Sequence, residues 1–343
     1  MAAETALVLR PMRLVELLDA AFRLYRRNFW TFVGIIALIQ IPVSLLSLLP
    51  QTLLLKSLDT LNSGQFSAEY FIGLGLSFLV GIVQFFLVSG VATLTLTRAI
   101  LSAYVGEKTS VFQSFSNAWP VLMRFMSVLV LIGLLMVVFY IWLLIPCVGW
   151  FSGLGILLTL SAAVLPFTVP IVILERHSAT GTISRSWDLV RRRFWWVLGL
   201  MGVLTLLSLV LTGPSILLSS LSQSATQLGS LGNQTLTNTI IQSVVGVLAS
   251  IIILPLNYAV VVLAYFDLRI RTEGIDLFVS ANESEGKPIS LADIAEMPTV
   301  KHGTNLVSGT EIGYFVILTL AAALLYAIFL GVVMLIMAGS MAL

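Results

Sequence analysis

Glu175, Arg176 and His177 are the one place in this 343-residue chain where an acid, a base and an imidazole stand together. They are the best local set for proton transfer, yet such chemistry needs a partner group. No second histidine, cysteine or acidic cluster lies close in sequence to complete a metal site or a nucleophile–base pair. The chain holds two histidines, His177 and His302, and one cysteine, Cys147, which excludes an intramolecular disulfide, a CxxC redox pair and a thiolate zinc cage. Walker-type phosphate loops, GxSxG elbows and HExxH are absent. The residues point to no catalytic, metal or cofactor site, and the expected class is not an enzyme.

Two other sets carry interaction chemistry. The first is basic: Arg23, Arg26 and Arg27, and again Arg191, Arg192 and Arg193, each followed by Phe-Trp. Guanidinium at phosphate depth and indole at the headgroup suit an inner water–lipid boundary. These six residues are candidate contacts for anionic lipid headgroups, with topology and anchoring as the simpler role. The second set is Gln40, Gln84, Gln242 and Asn257, amides inside otherwise apolar stretches. Pro42 near Gln40, and Pro255 near Asn257, free a backbone carbonyl beside an amide, as in broken helices that line a cavity. Interhelical hydrogen bonds at kinks account for the same residues.

The elements that must hold these side chains are membrane helices. Hydrophobic residues make up 58% of the chain and charged ones 10%, against about 25% charged in ordinary soluble domains, and mean hydropathy is +1.04. A chain this apolar needs lipid as solvent. Windows without ionisable side chains run over about 30–49, 71–97, 125–145, 150–174, 194–213, 240–266 and 312–338. Each approaches or exceeds the roughly 20 residues that cross the hydrocarbon core, and none alternates as a barrel strand would. The predicted fold is an all-α integral membrane bundle of six or seven transmembrane helices. Seventeen of the eighteen Lys and Arg fall on one side of these spans, with Lys56 alone opposite. The positive-inside rule then places the N-terminus in the cytoplasm, the protein being multi-pass in the plasma membrane. Formal net charge is only +2, so placement carries the information, and no nucleic-acid partner is expected.

Phe22–Trp30 aligns without gaps on Trp187–Trp195: aromatic first, Leu third, Arg-Arg fifth and sixth, Phe-Trp last. A weaker copy sits at Trp119–Arg124. The chain reads as a threefold repeat of cytoplasmic amphipathic helix plus helical hairpin, over about 10–105, 106–177 and 178–276 within a six-span membrane domain at 1–276. Asp19 with Arg23 and Asp188 with Arg192 have the i,i+4 spacing of helix-supporting pairs. A polar linker follows at 277–310, with a short helix expected from Ser290 to Met297, and then an additional C-terminal transmembrane helix at 311–343. Gly274 is the expected stop of the sixth span.

Three stretches carry a family resemblance. Leu9–Trp30, then Val169–Glu175 with Ser184–Arg191, then Tyr265–Arg271 with Gly274, resemble in order the prokaryotic membrane-domain family named after glycerophosphoryl diester phosphodiesterases, over about 8–278. The resemblance implies a polytopic helical module, sometimes fused to a phosphodiesterase. That enzyme's catalytic barrel has no counterpart here. The expected function is a non-catalytic module that interacts with membrane lipids, anionic headgroups at the cytoplasmic face included, or assembles with protein partners. The alternative is a transporter of a lipid or amphiphile through a polar cavity between the spans.

Overall fold

The computed structural model describes residues 10–57, 64–107, 110–145, 148–228, 232–276, 291–297 and 308–341. Among them every regular element is helical. In chain order these are α1 (Leu14–Arg27), α2 (Phe29–Lys56), α3 (Ala68–Gln84), a π-helical segment Phe85–Ala92, α4 (Thr93–Val105), α5 (Val111–Leu143), α6 (Val148–Leu158), a second π-helical segment Thr159–Val164, α7 (Leu165–Glu175), α8 (Ala179–Arg191), α9 (Phe194–Leu228), α10 (Gly232–Glu273), α11 (Leu291–Glu296) and α12 (Gly309–Met341). Six helical stretches are long and apolar enough to cross a membrane, and the pair Ala179–Arg191 with Phe194–Val210, bent by 99°, makes a seventh if taken as one span. The chain is a multi-pass helical membrane protein.

The helix ends follow local chemistry. Ser67, Ser110 and Ser178 cap α3, α5 and α8, each side chain accepting a hydrogen bond from a backbone N–H three residues on. Gly274 takes φ +66° and closes α10, its N–H donating to the Ile270 carbonyl at 3.0 Å. Pro42, Pro50, Pro120, Pro170 and Pro255 all lie within continuous helices.

The middle of the chain departs from a uniform repeat. Asn28 separates α1 from α2, and the Arg192–Arg193 turn separates α8 from α9. Between them, the polar stretch and the span form one helix, α5. Its 33 residues reach about 50 Å, more than the roughly 30 Å hydrocarbon core, so its first turns extend past the apolar slab.

The hub is α10, which packs against α1, α2, α4, α7, α8 and α9. From Ala259 to Ile270 it is buried on every face, including the charged Asp267 and Arg269. By contrast α3 turns Phe71, Phe78 and Leu79 outward, where lipid is their natural solvent. Within the 277–310 stretch, Ile294 and Met297, on and just after α11, are buried in the common core, and α11 packs on α7 and α4. Ser290, the expected start of this short helix, lies outside the described residues. The last helix also joins the bundle. Tyr314 stacks on Phe194 at 4.7 Å between ring centroids, and Thr319 Oγ1 accepts from the Gly155 N–H at 3.0 Å. A Cβ at Gly155 would collide with the Phe315 carbonyl, so glycine is what lets α6 and α12 approach this closely.

Candidate functional site

The densest chemistry lies at the end of the bundle where α7, α8 and α10 meet. Glu175 ends α7. Arg176 then adopts a left-handed conformation (φ 52°, ψ 32°), unusual for a side chain with a Cβ, and Ser178 starts α8 in a new direction. The reversal brings Arg185, two turns into α8, back onto Glu175, with Nε to Oε2 at 2.7 Å and Nη2 to Oε1 at 3.4 Å. From α10, the Tyr265 hydroxyl donates to Glu175 Oε1 at 2.8 Å while accepting from Arg269 Nη1 at 3.0 Å. Arg269 Nε donates to Glu273 Oε2 at 2.8 Å, and Glu273 Oε1 closes the ring by accepting from Arg185 Nη2. His177 Nε2 lies 3.2 Å from Glu175 Oε2. The side chains of Glu175, Arg185, Arg269 and Glu273 are each at most 5% exposed.

A second layer surrounds the ring. Asp188 holds Arg191 at 2.5 Å and Arg192 at 3.0 Å, Arg192 also reaches the Thr272 carbonyl, and Arg191 lies 3.9 Å from Glu311 at the start of α12. Four carboxylates (Glu175, Asp188, Glu273, Glu311) thus face four guanidiniums (Arg185, Arg191, Arg192, Arg269), and the local charge sums to zero. Nearby, Asp267 and Arg271 clamp the backbone of Met12: its N–H donates to Asp267 Oδ1 at 2.8 Å, and its carbonyl accepts from Arg271 Nη2 at 2.7 Å. Tyr25 of α1 adds a hydrogen bond to the Ile252 carbonyl at 3.0 Å, and burial pushes its phenol above the ordinary value.

Chemically this cluster is a lock. The ring carboxylates already accept from guanidinium or phenol, and with equal numbers of carboxylates and guanidiniums the cluster presents no net formal charge to a ligand. Among the described residues no group of three His, Cys, Asp or Glu side chains has metal-holding geometry.

The six arginines expected at headgroups divide. Arg23, Arg26 and Arg27 are exposed on α1, and Arg26 and Arg27 line a shallow cleft of about 390 Å³ with Asn28–Thr31, beside Trp30, which is 82% exposed. Arg191 and Arg192 are engaged with Asp188, and Arg193 lies over the Trp196 ring at 5.6 Å. Asp188 pairs with Arg192 as its spacing predicts, whereas Asp19 and Arg23, both exposed, form no ion pair.

The four amides are not gathered at one place. Asn257 lines a mid-bundle cleft and donates to Ser208 Oγ at 3.1 Å. Gln40 is buried on α2 beside Ser44, Gln84 is exposed at the end of α3, and Gln242 is half-buried on α10; none of these three lines that cleft.

Sequence reasoning missed the ring because it sought partners for Glu175 close in sequence, whereas α8 folds back over it and Tyr265 comes from 90 residues away. The available signal was the co-occurrence of the three motifs. Glu175, Arg185 with Asp188, and Tyr265 with Arg269 meet in this one cluster, and Met12 of the first motif docks beside it.

These features define a multi-pass, all-helical membrane module locked at one end by buried charge. Residues 149–275 match the family described as the membrane domain of glycerophosphoryl diester phosphodiesterase. The match spans the second π segment and the whole charge ring, and is narrower than the 8–278 over which the motifs resemble that family. The family is the membrane module of that phosphodiesterase, without the catalytic domain. No curated protein and no solved structure matches the chain.

Proposed function

We propose that this protein is a non-catalytic module of the plasma membrane, with its N-terminus in the cytoplasm, that engages anionic lipid headgroups at the basic break between α1 and α2. The observation that supports this most is the exposed pair Arg26 and Arg27 beside the uncapped start of α2 and the outward Trp30. Two exposed cations, the positive end of a helix dipole and an interfacial indole suit a phosphate at the bilayer surface. The orientation rests on the Lys and Arg asymmetry. In a Cys147→Ser background, a reporter cysteine within 213–239 should label from outside intact cells and one within 277–310 only after permeabilisation. The reverse pattern removes the cytoplasmic placement.

The test of the lipid reading is the full-length protein in nanodiscs containing phosphatidylglycerol. Bound anionic lipid counted by native mass spectrometry should fall in Arg26→Gln/Arg27→Gln, and the wild-type excess should shrink as salt shortens the Debye length from about 10 Å at 0.1 M to about 3 Å at 1 M. Each arginine near an anionic leaflet contributes about 1 kcal/mol. Equal lipid counts for wild type and variant at both salt concentrations would leave these arginines with a purely topological role. A second reading, transport of a lipid or amphiphile, draws support from the mid-bundle cleft at Asn257.

A further inference from the structure

Midway along the bundle a cleft of about 540 Å³ opens between the spans. Both π-helical segments contribute to its wall, Phe85 and Ser89 from the first and Ser161 from the second. A π turn widens a helix and breaks its regular packing, and such turns are frequent at functional sites. The rest of the wall is chiefly aliphatic and aromatic, and it contains no Asp, Glu, Lys, Arg or His.

Four of the seven hydroxyls in the wall are already spent as donors. Thr93, Ser161, Thr168 and Thr205 each donate their hydroxyl proton to a carbonyl of their own helical stretch, at 3.0, 2.7, 2.7 and 2.8 Å. What these side chains have left to offer is oxygen lone pairs. Asn257 spends an amide proton on Ser208, and its Oδ1 is buried without any hydrogen-bond partner. A buried carbonyl with no donor is a rare and costly arrangement, and it marks a place where a donor fits.

From this geometry we infer that the mid-bundle cleft binds an uncharged amphiphile whose headgroup donates hydrogen bonds, in chemical class a diacylglycerol or long-chain alcohol. The hydroxyl of the ligand meets Asn257 Oδ1 and its chain lies along the apolar wall. A phosphate or carboxylate headgroup would find no cation in this wall, and an ammonium would be stripped of water with no anion to pair it. The inference concerns a different site and ligand from the headgroup reading. It supplies the transport reading with a substrate class but requires only binding, so absence of lipid movement in a flip assay would remove transport alone.

The test is photo-crosslinking of the full-length protein in phosphatidylcholine nanodiscs, with diacylglycerol, phosphatidic acid and phosphatidylcholine probes bearing the same diazirine chain. Diacylglycerol should label peptides containing 161–169 and 201–208 above the two phosphate-bearing probes, and unlabelled diacylglycerol should compete it away. Asn257→Leu should weaken diacylglycerol labelling about three- to tenfold, the range of one neutral hydrogen bond. Thr205→Phe, which fills the cleft, should abolish labelling there in protein that remains monodisperse. Equal labelling by all three probes, failure of wild-type competition, or diacylglycerol labelling unchanged in both variants would each overturn the inference.

Discussion

Phe22–Trp30 and Trp187–Trp195 share one nine-residue design and have opposite surroundings. In the first, Arg26 and Arg27 are exposed on a helix whose other face is pinned by Tyr25 and Met12. In the second, Arg191 and Arg192 turn inward to Asp188, which lies against Arg185 of the buried ring. The difference lies in what stands opposite. Asp188 and Glu311 supply carboxylates to the second stretch, while among the described residues Arg26 meets no carboxylate and Arg27 reaches the Ala103 carbonyl at 3.3 Å. An Arg-Arg pair before a span is therefore free for solvent and lipid or committed to structure according to its partners, and local sequence alone does not decide which.

The largest effect that would sharpen this contrast comes from the ring behind the second stretch. Arg269→Leu leaves Glu273 with one cation fewer in a buried setting, and breaking a buried pair in this way costs about 3–5 kcal/mol. Thermal unfolding in detergent should show a lowered midpoint, or loss of the monodisperse species altogether. A midpoint equal to wild type would mean that the ring is not a structural lock. Of intermediate size is the exchange between the two stretches. Arg191→Gln/Arg192→Gln should lower the midpoint clearly, whereas Arg26→Gln/Arg27→Gln should move it by no more than about 2 °C. Equal shifts would erase the distinction drawn here.

The smallest effect concerns the anchor of α1. Tyr25→Phe removes one hydrogen bond, worth about 1 kcal/mol. Since burial raises the phenol's pKa on folding, its contribution is complete below the unfolded value near 10 and is lost as pH rises through the folded one. Wild-type stability should therefore drop more steeply than that of Tyr25→Phe in alkali. Parallel pH profiles would show that the phenol is not titrating against the fold.

The spans were legible in the sequence because a continuous apolar run needs no distant partner to declare itself: 150–174 became Val148–Glu175 and 312–338 became Gly309–Met341. The Asp188–Arg192 pair was legible for the same reason, being local. The ring was not, because Arg185 and Glu273 are 88 residues apart and only the reversal at Arg176 brings them together. Nor were the π segments. Phe85–Ala92 reads as ordinary span sequence, and its distinction is tertiary, since a Cβ at Gly90 would meet the Met126 side chain of α5. Both segments contribute to the wall of the mid-bundle cleft, and of the four amides Asn257 alone lines it.

The clamp on Met12 also sets a schedule for synthesis. Its partner Asp267 lies 255 residues later in the chain, and at roughly 5–20 residues per second the ribosome needs about 13–50 seconds to deliver it. Throughout that interval α1 has no clamp at its start, and the Ile252 carbonyl that Tyr25 will bind is made only near its end. Until then the helix has only its own two-faced pattern to hold it at an apolar–water boundary, Leu17, Ala21 and Leu24 on one side and Arg13, Arg23 and Arg26 on the other. The apolar face that the finished protein buries against α10 is thus the one a nascent chain has to offer lipid.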